Sequence, residues 1–353
     1  MKQFIGTSAG GNLQEAIQGL HDPELLIFCV SDKEQFYSVV EQLEQAFPKI
    51  PSIGCVGQSY GQTKVLEKGI MVTAFSDGVA AVANVLTDVS KMPLKKIRQL
   101  EKDVAAVAPG NDNTVCIDFC SGNDEMVLTT ISSVLSKKHI SLTGGTAWEG
   151  LVSANGVVYE DACAYALVKN NKGRIKVYKE NLYQPTDKRF LVTKSIPSEY
   201  VICELDGKPA ETVYMNELGI GRQELSNQTF KNPLGHCLGD EIFIVSIKES
   251  KGNGTFACYR KVNPKTTLSI LQIGGIPQIV DQTVAQIREE FPKISGIFSI
   301  NCLFRYLMFQ EQKYMDTYLQ NMGSLGTHAG LIGLGEHYNE HHTNQTMSCV
   351  VFE

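Results

Sequence analysis

An α/β fold of mixed sheets with packed helices is what this sequence predicts, on three observations. One plan of strand, amphipathic helix, strand, glycine-rich turn and strand is written three times. The helical segments carry apolar stripes at helical period, while the flanking runs are short and β-branched. The glycine turns fall at the same place in each copy, after a strand, where ligand crevices of α/β sheets form. The first copy reads LLIFCV (25–30), SDKEQFYSVVEQLEQAFPK, IPSIGCVGQSYG and GIMVTAF (69–75). The second reads TVCIDFC (114–120), SGNDEMVLTTISSVLSKK, ISLTGGTAWEG and ACAYALV (162–168). The third reads GIFSINC (296–302), LFRYLMFQEQKYMDTYLQNMG, THAGLIGLGEHYN and TMSCVVF (346–352).

Each helix has a physical warrant. In the first copy Phe36, Val39, Val40, Leu43 and Phe47 fall on one stripe, Ser31 with Glu34 reads as a capping box, and Pro48 ends the helix. In the second, Val127, Ile131, Val134 and Leu135 make the stripe, with Ser121 or Asn123 to cap it. In the third, Met315, Tyr318, Leu319 and Met322 do so, and Gly323 stops the helix. Two further helices, over 94–108 and through Val280, Val284, Ile287 and Phe291, run into the first strands of the second and third copies. The short turns before some last strands require antiparallel pairing, hence mixed sheets. The polar stretch KENLYQPTDKRF around Pro185 sets the expected domain boundary, giving 1–185 and 186–353.

Composition narrows the function. In 353 residues, 43% hydrophobic content supports a packed core, and a net charge of −6 without a basic block gives no support to a nucleic-acid or anionic-membrane surface. No apolar run approaches the ~20 residues of a membrane span, and MKQFIGTSAGGN has no signal-peptide core. A cytoplasmic chain is therefore expected, with its ten cysteines reduced. Cys29, Cys116, Cys163, Cys203 and Cys349 sit in β-type runs as small hydrophobes, and no CxxC signals a zinc ribbon or redox pair.

Several chemistry-bearing segments remain. Gly6-Thr7-Ser8-Ala9-Gly10 matches a nucleophile elbow in letters but has only five residues before it, and so reads as a turn. Glu336 to His342, EHYNEHH, is the densest ligand-type cluster. Its spacing fits no metal motif, and a loop with one or two binding residues is the favoured reading. Cys302 and Arg305 stand where a strand gives way to a helix, with Arg305 the preferred ligand-facing group. Trp148, the single Trp, stacks on a ligand or covers the sheet end. No P-loop, dinucleotide fingerprint or paired catalytic carboxylates occur.

GGTAWEG (144–150) resembles the signature of the FIST N-terminal domain. ELDGKPAETVYMNELG (204–219), NPLGHCLGDEIFIVSI, INCLFR and GLGEHYNEHHTNQTM resemble successive signatures of the FIST C-terminal domain. Trp148 and Glu149 depart from the usual N-terminal pattern. The resemblance implies a sensory module that binds a small compound such as an amino acid and signals to a separate partner, for instance a histidine kinase. It also implies an alternative, a haem-based nitric-oxide sensor, since HHTNQTM looks similar to that branch's motif and places His342 at the matching position.

Three functions are therefore in competition. In a non-catalytic binding module, Gly144, Gly145, Gly330, Gly333 and Gly335 let backbone approach a ligand. Arg305 grips a carboxylate, Glu336 takes an ammonium or hydroxyl, and His342 and Asn344 orient the ligand. In a haem sensor, His342 or His236 is the axial ligand. In an enzyme, Cys302 is the nucleophile and His337 or His342 the base. The first reading calls for no cofactor and no metal.

Overall fold

The computed structural model describes residues 1–353, the side chain of Pro93 excepted. The chain forms two compact units, the first of Met1–Glu180, Val280–His342 and Thr346–Glu353, the second of Asn181–Ile279 with Thr343–Gln345.

The sequence repeat is a structural repeat, and it starts one strand earlier than the sequence shows. The first copy runs β1 (Lys2–Ser8), α1 (Leu13–Ile17), β2 (Leu25–Val30), α2 (Lys33–Ala46), β3 (Ser52–Val56), β4 (Gln58–Gly61), β5 (Lys64–Leu66) and β6 (Ile70–Ser76). The second runs β7 (Val79–Thr87), α3 (Ile97–Val107), β8 (Thr114–Cys120), α4 (Asp124–Leu135), β9 (Ser141–Thr146), β10 (Val152–Ala154), β11 (Val157–Tyr159) and β12 (Ala162–Asn170). The third opens with β13 (Ile175–Asn181).

The chain then departs through the second unit. Its strands are β14 (Tyr183–Ile196), β15 (Val201–Leu205), β16 (Lys208–Pro209), β17 (Leu234–Leu238), β18 (Glu241–Val245), β19 (Ile247–Ser250), β20 (Phe256–Cys258) and β21 (Thr267–Ile273). Helices α5 (Ala210–Leu218) and α6 (Leu225–Lys231) lie between β16 and β17. The strands form one antiparallel sheet in the order β18-β17-β21-β14-β15-β20-β19, with β16 on β15. Ala210, Val213, Tyr214 and Leu225 of the helices pack with Phe190, Ile202, Leu234 and Ile270 in its core.

The third copy resumes at α7 (Ile276–Glu290) and continues β22 (Gly296–Cys302), α8 (Leu303–Glu311), α9 (Met315–Gly323), β23 (His328–Gly333), β24 (Glu336–Tyr338), β25 (His341–Thr343) and β26 (Thr346–Phe352). The compact units thus do not follow a single division at residue 185. β26 pairs with β13 and β22, and β23 pairs with β4, so backbone hydrogen bonds tie the end of the chain to its first 180 residues.

In every copy the central strand runs parallel to the next one and antiparallel to the last: β2 with β3 and β6, β8 with β9 and β12, β22 with β23 and β26. The turn after each second strand is a hairpin, and no copy keeps its own. β4 of the first copy pairs with β23 of the third, β10 of the second with β3 of the first, and β24 of the third with β9 of the second. The exchange closes a ring of three sheets. Ile27, Ile117 and Ile300 from the three central strands share one core with Phe119 and Phe298. The opposite faces of the first two sheets lie under helices, Phe28 with α2 and Cys116 with α3 and α4. Burial on both faces explains why LLIFCV and TVCIDFC do not alternate with polar residues.

Local details differ from the sequence reading. Asp32, not Ser31, caps α2, accepting from Gln35 N at 2.8 Å. Ser31 instead accepts from Gly69 N at 2.7 Å, and Ser121 likewise from Ala162 N at 2.8 Å. Both serines fasten the end of a central strand to the returning strand. The single helix expected over 303–323 is two, broken where Lys313 takes a left-handed φ of 52° and Tyr314 packs its ring on Phe309.

Each exchanged hairpin places one residue opposite a glycine: Tyr60 opposite Gly330, His337 opposite Gly144, Ser153 opposite Gly54. A Cβ at these glycines would overlap, respectively, the Ser299 carbonyl and Tyr60 ring, the Asp118 carboxylate and carbonyl, and the Phe28 ring. Gly144→Ala is therefore expected to cost at least the ~1–3 kcal/mol of an overpacked core. Gly10→Ala, with nothing within 4 Å of its Cβ, is expected to change stability by under ~0.5 kcal/mol. Urea midpoints of the two variants measure the difference.

Candidate functional site

Two buried polar clusters occupy the C-terminal ends of parallel strands in the first unit. The first gathers around Arg305 in the opening turn of α8, which is fully buried. Its guanidinium is ion-paired with Glu180 at the end of β13, and Nε donates to Asn301 Oδ1 at 2.8 Å. Asn301 Nδ2 donates to the hydroxyls of Tyr60 at 2.7 Å and Tyr318 at 3.1 Å. Tyr60 reaches Ser299 Oγ at 2.7 Å, and Ser299 meets His328 Nε2 at 2.7 Å. The guanidinium also lies over the rings of Phe309 and Tyr318, at 4.6 and 5.4 Å, contacts that favour a desolvated cation. Burial pushes the His328 imidazole down to about 3, so it is neutral. Arg305 Nη1 and Glu180 Oε2 are buried without a hydrogen-bond partner among the described residues.

Glu336 opens β24 and is fully buried. Burial pushes its carboxyl up to about 8, against hydrogen bonds from the Cys302 thiol and Thr346 and the positive field of Arg305. Thr346 Oγ1 donates to Glu336 Oε2 at 3.0 Å. At neutral pH Glu336 is mostly a neutral acid.

The second cluster centres on His337. Its Nδ1 meets Asp118 Oδ2 at 2.7 Å and its Nε2 meets Asp124 Oδ1 at 2.9 Å. Burial opposes the imidazolium, but the two carboxylates outweigh it and raise the His337 pKa well above the ordinary value. Burial would likewise raise Asp124, yet the hydrogen bond from His337 and nearby positive charge hold it below the carboxylate range. Asp118 reaches His337 across β9 because Gly144, between them, has no side chain.

The structure thus brings Arg305, Cys302 and Glu336 to one locality. Arg305 meets a carboxylate, but that of Glu180 from its own chain. Cys302 is buried with its thiol on Glu336. His337 has both ring nitrogens on carboxylates, so it has no lone pair to take a thiol proton from Cys302. Trp148 covers a sheet end, its indole N–H donating to the Ile332 carbonyl at 2.7 Å.

The glycines stand where other parts of the chain, backbone or side chain, approach closely. A Cβ at Gly145 or Gly333 would come within 2.7 or 2.9 Å of the Gly335 carbonyl oxygen, and one at Gly335 would overlap His342 Nε2. His342 is half-buried, edge-on to His337 at 5.8 Å. Its Nε2 is buried against Gly335, where a Cβ would come within 2.2 Å of it. His236 stands on β17 in the second unit, with Nδ1 2.9 Å from the Thr267 carbonyl oxygen. Asn344 is buried.

Glu180, Asn301, Asp118 and Asp124 were not singled out from sequence. Asn301 had a signal, standing four residues before Arg305 at the strand-to-helix junction. Glu180 had none.

Three β-α-β repeats closed into a ring carry charged groups buried at their strand ends. The family model of the FIST N domain matches residues 24–208, just over half of the 353, and the chain belongs to that family. FIST domains are associated with sensory, small-ligand-binding proteins of signal transduction. No curated protein matches the sequence. Among the described residues, no helix is long and apolar enough to cross a membrane.

The raised Glu336 carboxyl makes stability pH-dependent. The unfolded group ionises near 4.5 and the folded one near 8. Between these values the folded chain keeps a proton that the unfolded chain has lost, so stability falls as pH rises through the window and levels off above it. The contribution is at most ~5 kcal/mol, at ~1.4 kcal/mol per unit. His337 acts in the same direction above its ordinary pKa of 6.5, but remains in Glu336→Gln. Urea unfolding from pH 5 to 8 is expected to show a shallower decline in that variant than in the wild type.

Proposed function

We propose that this chain is a non-catalytic sensory module for a small zwitterionic metabolite of the α-amino-acid class. Its ligand-facing pair is Arg305 and Glu180. One observation carries the reading: a buried guanidinium nitrogen, Arg305 Nη1, and a carboxylate oxygen of its own ion-pair partner, Glu180 Oε2, both have hydrogen-bonding capacity unspent. An orphaned buried polar atom is costly. An α-carboxylate satisfies the donor and an α-ammonium the acceptor, so one small ligand relieves both. Glu336, with the thiol of Cys302 beside it, supplies a second polar contact as a neutral acid, and Asn301 holds the Arg305 fork in place from behind.

In this reading the resemblance of residues 204–353 to the FIST C-terminal domain describes the ligand-reading part of the chain. The response passes to a separate signalling partner. The functional chemistry is binding: Cys302 carries no nucleophilic role, and no cofactor is required.

Thermal unfolding of the full chain against a panel of L-amino acids tests this. A cognate amino acid at a hundred times its Kd is expected to stabilise the wild type by ~2.7 kcal/mol. Arg305→Lys, which replaces a planar fork with a point charge, is expected to weaken binding at least tenfold. Glu180→Gln is expected to lose preference for amino acids over the matching plain carboxylates. A wild type whose transition is moved by no amino acid and no carboxylate overturns the proposal.

A further inference from the structure

The face of β8 that lies under α3 and α4 carries a cluster that the ligand reading does not use. Cys116, Asp118 and Cys120 alternate along β8 and share that face. Cys163 on β12 stands directly opposite Cys120. The adjoining pair is hydrogen-bonded, Ser121 N to the Ala162 carbonyl at 2.9 Å, so Cys120 and Cys163 form a non-hydrogen-bonded pair, the closer of the two cross-strand types. Both are free thiols and fully buried.

We propose that Asp118, Cys120 and Cys163 form a site for a divalent thiophilic metal ion, zinc by its chemistry. Their ligating atoms all lie within 4.8 Å of one another. Cys163 Sγ is 3.5 Å from Asp118 Oδ2. A tetrahedral zinc with Zn–S of ~2.3 Å and Zn–O of ~2.0 Å spaces sulfur and oxygen ~3.5 Å apart, so this edge already has the required length. The Gly122 carbonyl oxygen, 3.4 Å from Cys120 Sγ, supplies a further oxygen donor.

An independent observation points to a ligand. Asp118 Oδ1 is buried with no hydrogen-bond partner among the described residues, while Oδ2, the oxygen that faces Cys163 Sγ, meets His337 Nδ1 and keeps a lone pair for a metal. The shell behind the carboxylate is of the kind that orients metal ligands. His337 holds Asp118, Asp124 holds His337, and Thr146 donates to Asp124 at 2.8 Å. Coordination replaces the two thiol protons, which go to solvent, by one dication, so the buried cluster's net charge does not change. Softness favours zinc over magnesium or calcium, because two of the three ligands are sulfur. With every ligand buried, the ion enters as the chain folds. The site is independent of Arg305 and Glu180.

The test is full-length protein expressed in cobalt- or zinc-supplemented medium and passed over a chelator. One metal per chain is expected to survive, with thiolate-to-cobalt charge-transfer absorption and the strong visible bands of tetrahedral cobalt. Cys120→Ser/Cys163→Ser is expected to abolish the charge-transfer band. Cys29→Ser/Cys55→Ser, which alters the other close thiol pair at 3.9 Å, is expected to keep it. Should the first double variant fail to fold, zinc-edge X-ray absorption of the wild type decides, with two sulfur neighbours at ~2.3 Å expected. A wild type with no charge-transfer band and no sulfur neighbour overturns the proposal. So does a band that survives loss of Cys120 and Cys163, or one that disappears with Cys29 and Cys55.

Discussion

None of the strands β3, β9 and β23 is completed by its own repeat, and the first unit is organised around that constraint. A strand edge with unpaired N–H and C=O groups must be covered or paired. Here β10 covers β3, β24 covers β9 and β4 covers β23. Because the exchange is cyclic, no repeat can satisfy its backbone alone, and removing one hairpin exposes the edge of another copy. The same geometry explains why one copy tolerates a whole second unit. The chain leaves between β13 and α7, a connection that takes no part in the exchange.

Hairpin exchange also decides what lies at the strand ends. Each incoming hairpin needs a glycine opposite one residue, and the space that glycine leaves differs in content among the copies. At Gly54 it is filled by the ring of Phe28, which belongs to the core under α2. At Gly144 it admits Asp118, which meets His337 across the intervening strand. At Gly330 it admits Tyr60, which joins Ser299, Asn301 and Arg305. One scaffold position, used three times, has become core in one copy and a charged cluster in the other two.

Buried charge of this kind is expensive unless each member is paired. His337 is paired through both nitrogens, so its cluster rigidifies the junction of the second and third copies. Arg305 and Glu180 are paired only in part: each keeps one buried polar atom without a hydrogen-bond partner among the described residues, as Asp118 Oδ1 does in the other cluster. Glu336, held mostly neutral at the same locality, adds hydrogen-bonding capacity without adding another full buried charge.

The repeat, the helical stripes of α2, α4 and α9, and the α/β class were legible in the sequence because they rest on local periodicity. Val39 and Leu43 must share a face whatever they pack against. Arg305 was legible as a candidate because it stands at a strand-to-helix junction, where α/β folds favour ligand crevices. The identity of its partner was not, since Glu180 lies 125 positions away in a segment with no periodic signal. Gly144, Gly145, Gly333 and Gly335 could be read as positions of close approach, but not which groups approach them: Asp118 at Gly144, the Gly335 carbonyl at Gly145 and Gly333, and His342 at Gly335. Asp118 and His337 are separated by 219 positions, and only the crossing of a hairpin from the third copy into the second sheet brings them together. Periodicity fixes which face a residue takes, whereas strand exchange between repeats depends on pairing across the whole chain, and that is decided only when all three edges close at once.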